Sequence, residues 1–245
     1  MKYLDFVLRQ NILTELTEVR KYFRWFRSML AEAENENEGS FDIKYNRADV
    51  FNTFSKAKHR LRTGWVNRDI PDGENIVEHM YNCWLMGMIY LPETYPAEGY
   101  CKNTILSMLL IHDMGETVTG DIDRGRKNTN REEFERKESE AMDKLLFAGT
   151  YHEAVNLSPC MDIWNSFESR TGINYQVAKD IDEVQAVYQY CVYYKKHRGL
   201  MSPADARCWL ANIDILNTEL VRGIAEILIL KNPEFTEILS EINGN

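Results

Sequence analysis

The strongest constraint in the sequence is a run that is apolar on nearly every side and yet ends in two metal-binding residue types. Thr104 to Gly115 read as a helix that Ile105, Leu106, Met108, Leu109, Leu110 and Ile111 almost surround. A helix without a polar face lies inside a protein, so the chain has to build other elements around this one. The run closes on His112 and Asp113, an imidazole and a carboxylate at the end of a buried helix.

The surrounding sequence is helical almost throughout. Ile12, Leu16, Val19, Phe23, Phe26 and Leu30 recur at helical spacing and form one apolar stripe. The chain's own core is the expected partner of that stripe, with a dimer contact as the alternative. Ala31 to Ser40 has no large apolar residue and contains Gly39, so the helix should stop there and pass into a linker. Residues 1–45 are therefore expected to be an N-terminal helix and linker, and residues 46–245 the core with its C-terminal helices.

Within the core, a basic segment (Phe51 to Leu61) leads to a polar loop through Arg68, Asp69, Pro71, Asp72 and Gly73. Asn75 can cap a helix, with Glu78 three residues on as its capping-box partner. That helix should carry His79 and Trp84 and end at Pro92. Residues 117–130 read as a polar loop, Arg131 to Phe147 as a charged helix, and the chain to about Gly172 as a looser stretch. Gln176 to Tyr194 is helical again, and residues 204–229 and 233–242 complete the chain. Strand-like alternation is scarce and no repeat of 20–50 residues is visible. The expected fold class is all-α.

Composition narrows the function. The 245 residues carry 29 basic and 38 acidic side chains, a net charge of −9. Such a chain repels nucleic-acid polymers and anionic membranes, though a small phosphorylated substrate still suits a locally positive site. No apolar stretch approaches the ~20 residues of a membrane span. Asp5 and Arg9 interrupt the apolar part of the N-terminus, so a secretory signal is not expected and the location reads as cytoplasmic. Cys83, Cys101, Cys160, Cys191 and Cys208 are odd in number and widely spaced, which suits reduced thiols, most of them buried.

The chemistry lies in a few residues. An ion that activates water needs three or four imidazole or carboxylate ligands and an open position. His79 and His112 lie on helices with apolar flanks, and the helix from Gln176 offers Asp180, Asp182 and Glu183. Glu116 follows Asp113 by three residues, which puts it on their side of a continuing helical turn. One His in an apolar helix is usually a core residue. The order H…HD…D across three buried helices is more specific.

These residues resemble the HD-domain phosphohydrolase superfamily. The stretches R-T-G-W-V-x-R (Arg62 to Arg68), E-N-I-V-E-H (Glu74 to His79), L-I-H-D-M-G-E-T-V-T-G-D (Leu110 to Asp121) and K-D-I-D (Lys179 to Asp182) are similar to its 5′-deoxynucleotidase branch. The resemblance covers about residues 50–195. It implies a helical, homodimeric HD-domain bundle that removes phosphate from deoxyribonucleoside 5′-monophosphates with a divalent transition metal, Co²⁺, Mn²⁺ or similar. It also implies roles. His79, His112, Asp113 and Asp182 match the metal ligands. Glu116 matches the catalytic acid/base, Asp121 a substrate-contacting residue, and Arg62 the phosphate-binding arginine. Arg68 or Lys179 is a candidate to add to that grip. In bacterial members a Trp directly follows the arginine; here Thr63 follows and Trp65 comes two later, as in eukaryotic-like members.

Two-metal HD proteins need extra histidines between the HD pair and the last Asp. His152 stands alone there and reads as a surface residue, so one ion per chain is expected. The alternatives are an HD hydrolase of another small phosphate ester or nucleotide pyrophosphate, for which Arg124, Arg126 and Lys127 are the nearest extra cations, and a non-catalytic nucleotide-binding HD module. A binding module has no need of Glu116.

Overall fold

The computed structural model describes residues 52, 54–121, 131–147 and 159–243. The N-terminal arm, its linker, the division expected at residues 45 and 46, Arg124, Arg126, Lys127 and His152 lie outside the described residues. The described residues are helical, and the one β-bridge among them joins Leu61 to Asn75. None of their helices is long and apolar enough to cross a membrane.

A 3₁₀ turn, Ser55–His59, leads into the short α1, Thr63–Val66. Helix α2 spans Ile76–Tyr90 and begins at the expected capping box. The Glu78 N–H donates to Asn75 Oδ1 at 3.0 Å, and the Asn75 N–H donates to Glu78 Oε2 at 2.9 Å. Two orphan donors of the first turn are thereby satisfied.

Helix α3 spans Lys102–Ile111, with Ile105, Leu106, Met108 and Leu109 buried. It stops short of the expected Gly115, because His112 to Gly115 turn and a separate α4, Glu116–Thr119, starts there. The polar loop expected from residue 117 therefore begins as helix. Helix α5 covers Arg131–Phe147, and the looser stretch before Gly172 contains α6, Pro159–Glu168. Helix α7, Gly172–Lys196, is longer at both ends than the sequence suggests. Beyond it come α8 (Pro203–Leu210), α9 (Glu219–Ala225) with a π-helical turn over Glu226–Leu230, and α10 (Thr236–Asn243).

Helices α2, α3 and α7 pack on one another, and α6 closes against α3. Gly87 lets α2 approach closely, since a Cβ there would come within 3.0 Å of both Leu106 and Leu109 side chains. The main core runs from Trp65 through Ile105, Leu109, Ile181 and Tyr190 to Ile242. Trp65 is fully buried, stacked on Trp209 at 5.4 Å and edge-on to Tyr193 at 4.9 Å. Gly73 keeps the segment before α2 against it, because a Cβ would stand 2.8 Å from Trp65 Cβ.

None of the five cysteines is in a disulfide, and only Cys83 and Cys191 are buried; Cys101, Cys160 and Cys208 are exposed. The expectation that most would be buried fails because Cys101 precedes the first residue of α3, and Cys160 and Cys208 lie on the exposed sides of α6 and α8.

Candidate metal centre

The three central helices each bring one part of the H…HD…D pattern to one place. His79 comes from the first turn of α2, His112 and Asp113 from the end of α3, and Asp182 from the middle of α7. His79 and His112 are buried with their rings 5.4 Å apart. Asp182 Oδ1 lies 2.9 Å from His79 Nε2 and 3.7 Å from His112 Nε2. Asp113 Oδ2 lies 3.6 Å from His79 Nε2 and 3.5 Å from His112 Nε2.

Those spacings fit a shared ion. Ligands bound at about 2.1 Å sit roughly 3.0 Å apart in octahedral geometry and roughly 3.4 Å apart in tetrahedral geometry. The nitrogens are aimed correctly as well. His112 Nδ1 lies 3.1 Å from the Leu109 carbonyl, which can only accept, so Nδ1 carries the proton and the Nε2 lone pair faces the carboxylates. His112 Nε2 is buried and makes no hydrogen bond among the described residues. Burial disfavours charge on His112, but Asp113 and Asp182 outweigh it and raise its pKa. A positive charge is favoured at Nε2, and the residues present fit a divalent cation with mixed N/O ligands.

Cys83 is one helical turn after His79 and also borders the cluster. Its Sγ is 3.8 Å from His79 Nδ1 and 3.7 Å from Nε2, so it sits beside the ring. A sulfur bound to an ion on the Nε2 lone pair would lie about 5 Å from Nδ1. Cys83 is thus a packing neighbour, and its thiol pKa is raised, by burial first and by the Asp182 charge next.

Two cations flank the carboxylates. Arg62 Nη1 donates to Asp113 Oδ2 at 2.9 Å. Lys179 Nζ donates to Asp182 Oδ2 at 2.6 Å and approaches Glu183 at 3.0 Å. Burial pushes both acids up, but Asp113 is held far below the usual carboxylate range by His112, Arg62 and His79, and Asp182 by Lys179 and the two histidines. Burial also opposes the charge of Arg62, yet Asp113, Asp182, Asp121 and Glu116 raise its pKa above the usual arginine value. Arg62 and Asp113 each keep 19% of their side-chain surface exposed, whereas the histidines keep almost none, so the cluster opens toward solvent on the Arg62 side.

The other expected residues are also placed. Glu116 is buried at the start of α4, one turn after Asp113. Asp121 Oδ2 accepts the Thr63 N–H, and Thr63 Oγ1 donates to the Asp121 carbonyl at 2.7 Å. This ties the end of the T-G-D run to the residue after Arg62. Arg68 turns to Asp205, with two hydrogen bonds of 2.7 and 2.8 Å, and donates to the Gly64 carbonyl at 2.7 Å. Asp180 faces the other way on α7 and accepts from Asn217 and Thr218.

Two residues of the site are not singled out by the sequence. Gln185 Oε1 is 2.6 Å from His79 Nδ1, and Gln185 Nε2 donates to Glu74 Oε2 at 3.2 Å. Both are buried. Glu74 opens the E-N-I-V-E-H stretch without an assigned role, and Gln185 lies three residues after Asp182 on one helix.

Comparisons with known proteins agree with this geometry. A sequence profile of the HD domain matches residues 54–208. The chain is 27% identical over 198 residues to the 5′-deoxynucleotidase YGK1 of Saccharomyces cerevisiae, an alignment covering 78% of this chain and 85% of that protein. It is 30% identical over 149 residues to the 5′-deoxynucleotidase hdd1 of Schizosaccharomyces pombe, covering 59% of this chain and 71% of that one. A solved structure of a conserved hypothetical protein from Pyrococcus furiosus superposes with a TM-score of 0.55 at 18% identity, over 81% of this chain and 99% of that one, a likeness of fold.

Proposed function

The chain belongs to the HD-domain family of metal-dependent phosphohydrolases, in its 5′-deoxynucleotidase-like branch, and from that premise we propose that it removes the 5′-phosphate from deoxyribonucleoside 5′-monophosphates. The observation that carries this reading is the convergence of two histidine Nε2 atoms and two carboxylates beside a buried glutamate and a part-exposed arginine.

In this reading His79, His112, Asp113 and Asp182 hold one divalent ion per chain, Co²⁺, Mn²⁺ or similar. The chemistry such an ion supplies when bound is Lewis acidity toward a phosphate oxygen and a lowered pKa for water. Arg62 grips the phosphoryl group with its planar fork and offsets charge that develops there. It is held for this by its contact with Asp113. Glu116 orients the attacking water, accepts its proton, and returns a proton to the leaving 5′-oxygen. Asp121 contacts the substrate while fixing Thr63. Arg68 steadies α1 against α8 through Asp205. The protein works as a cytoplasmic homodimer, with a small nucleotide as partner and no nucleic-acid polymer or membrane. The acidic balance of the chain supports the last point.

Phosphate release from dAMP, AMP and 3′-AMP by metal-reconstituted protein tests the substrate. Release from dAMP well above AMP, with none from 3′-AMP, is expected. Equal release from 3′-AMP would sink the 5′ assignment.

A further inference from the structure

Resting on the reading of the cluster as a metal site, we infer that Glu74 and Gln185 are positioning residues that fix the tautomer of His79 and tie it to the arginine that grips phosphate. A chain of hydrogen bonds runs inward from Trp65. The indole N–H can only donate, and it donates to Glu74 Oε1 at 3.3 Å. The other oxygen, Oε2, is 3.2 Å from the Gln185 amide. A carboxylate only accepts, so the amide must present its NH₂ to Glu74 and its oxygen to His79. This fixes an amide orientation that would otherwise be ambiguous. Gln185 Oε1 then faces His79 Nδ1 at 2.6 Å, and an amide oxygen only accepts. Nδ1 must therefore be the protonated nitrogen, which leaves the Nε2 lone pair for the ion.

The same carboxylate reaches the substrate side. Glu74 Oε1 is 3.9 Å from Arg62 Nε and 3.7 Å from His79 Nδ1. The Arg62 N–H also donates to the Glu74 carbonyl at 3.1 Å. One buried residue thus stands between the metal arm and the phosphate arm of the site. His112 needs no such relay, because a backbone carbonyl fixes its tautomer. His79 lies in the first turn of α2 with its Nδ1 turned to α7, so a side chain has to supply the acceptor.

In the variant E74Q the new amide has a donor of its own. Gln185 is then free to rotate and offer NH₂ to His79, which favours the tautomer with the proton on Nε2. Gln185→Met removes the acceptor at similar volume. Exchanging the two side chains, E74Q/Q185E, takes the carboxylate away from Arg62 but restores each hydrogen bond from Trp65 to His79: the amide now at position 74 accepts from Trp65 and donates to the carboxylate now at position 185, which accepts from His79.

The test is a titration of the metal-stripped full chain with Co²⁺, followed by calorimetry and visible absorption, for the wild type, E74Q, Q185M and the double variant. Each single change is expected to weaken Co²⁺ binding about 10–100-fold, as outer-shell partners of ligating histidines do, and the exchange to bring it back toward the wild type. Single variants that bind Co²⁺ as tightly as the wild type, or an exchange that rescues nothing, would overturn the inference while leaving the metal site standing. Failure of the wild type to bind Co²⁺ would overturn the metal reading, and the inference with it. A measurement without variants checks the same point. The ¹⁵N shifts of Zn²⁺-loaded wild type should show His79 protonated on Nδ1, and a proton on Nε2 contradicts the relay.

Discussion

Arg62 donates to Asp113 Oδ2 at 2.9 Å, and that same oxygen faces Nε2 of both histidines. The arginine expected to grip phosphate is therefore in contact with a carboxylate expected to bind metal. A cation in this place balances the acidic cluster, and the cluster in turn holds the guanidinium at the mouth of the site.

Replacing Arg62 with Ala should separate these two roles. kcat/KM for dAMP should fall about 10²-fold, because a charge-assisted contact to the phosphoryl group is lost. Co²⁺ binding should stay equal or tighten, since a neighbouring positive charge is gone. Parallel titrations and steady-state assays check this, and weaker Co²⁺ binding in R62A would contradict it.

Glu116→Gln should likewise separate turnover from metal binding, through proton transfer and not through phosphate contact. The side chain is close to isosteric and is assigned no bond to the ion, so one equivalent of metal should still bind. Turnover should fall by about 10²-fold or more, because the amide cannot take up a proton. Near-normal turnover in this variant would remove Glu116 from the mechanism.

Asp180 lies two residues before Asp182 but serves stability. Its Oδ1 accepts from the Asn217 N–H and side-chain amide at 2.9 and 2.8 Å, and its Oδ2 from the Thr218 N–H and hydroxyl at 2.7 Å each. D180A leaves the two Thr218 donors without their acceptor in a buried place, while the exposed Asn217 can turn to water, and should cost about 2 kcal/mol in chemical denaturation. Metal stoichiometry should not change in the folded fraction.

Asp205 supplies a pH dependence. Its carboxyl is held below the usual range mainly by the hydrogen bond from Arg68, helped by the Tyr190 hydroxyl and opposed by partial burial. The folded state then binds fewer protons than the unfolded state near the ordinary Asp pKa of about 3.9. The stabilisation is fully present above that pKa and is lost as pH falls through the lower folded value. The stability advantage of wild type over D205N should therefore be constant from neutral pH to about pH 5 and shrink below about pH 4. An advantage that grows on acidification would contradict the assignment.

Much of this is legible in the sequence because it is local. The capping box at Asn75 and Glu78 needs only four residues, and the apolar run before His112 marks a buried helix by itself. Helix α6 escapes the sequence reading although Met161, Trp164 and Phe167 recur every three residues and Pro159 stands at its first position, a standard helix start. What the sequence leaves open depends on how helices meet. Glu74 lies in a quoted motif without a role, and its role depends on Gln185, 111 positions away on another helix. Arg68 is a candidate phosphate ligand on sequence alone, but the fold brings Asp205 to it from α8. Sequence spacing gives the face a residue occupies on its own helix, and the partner across the interface comes only from packing.

The most direct test of a one-metal phosphohydrolase is to add Co²⁺ stepwise to metal-stripped protein while following phosphate release from dAMP. Release should start from near zero, rise with each addition, and saturate at one ion per chain. Release that is indifferent to added metal, or that saturates only at two ions per chain, would contradict the one-ion site built from His79, His112, Asp113 and Asp182.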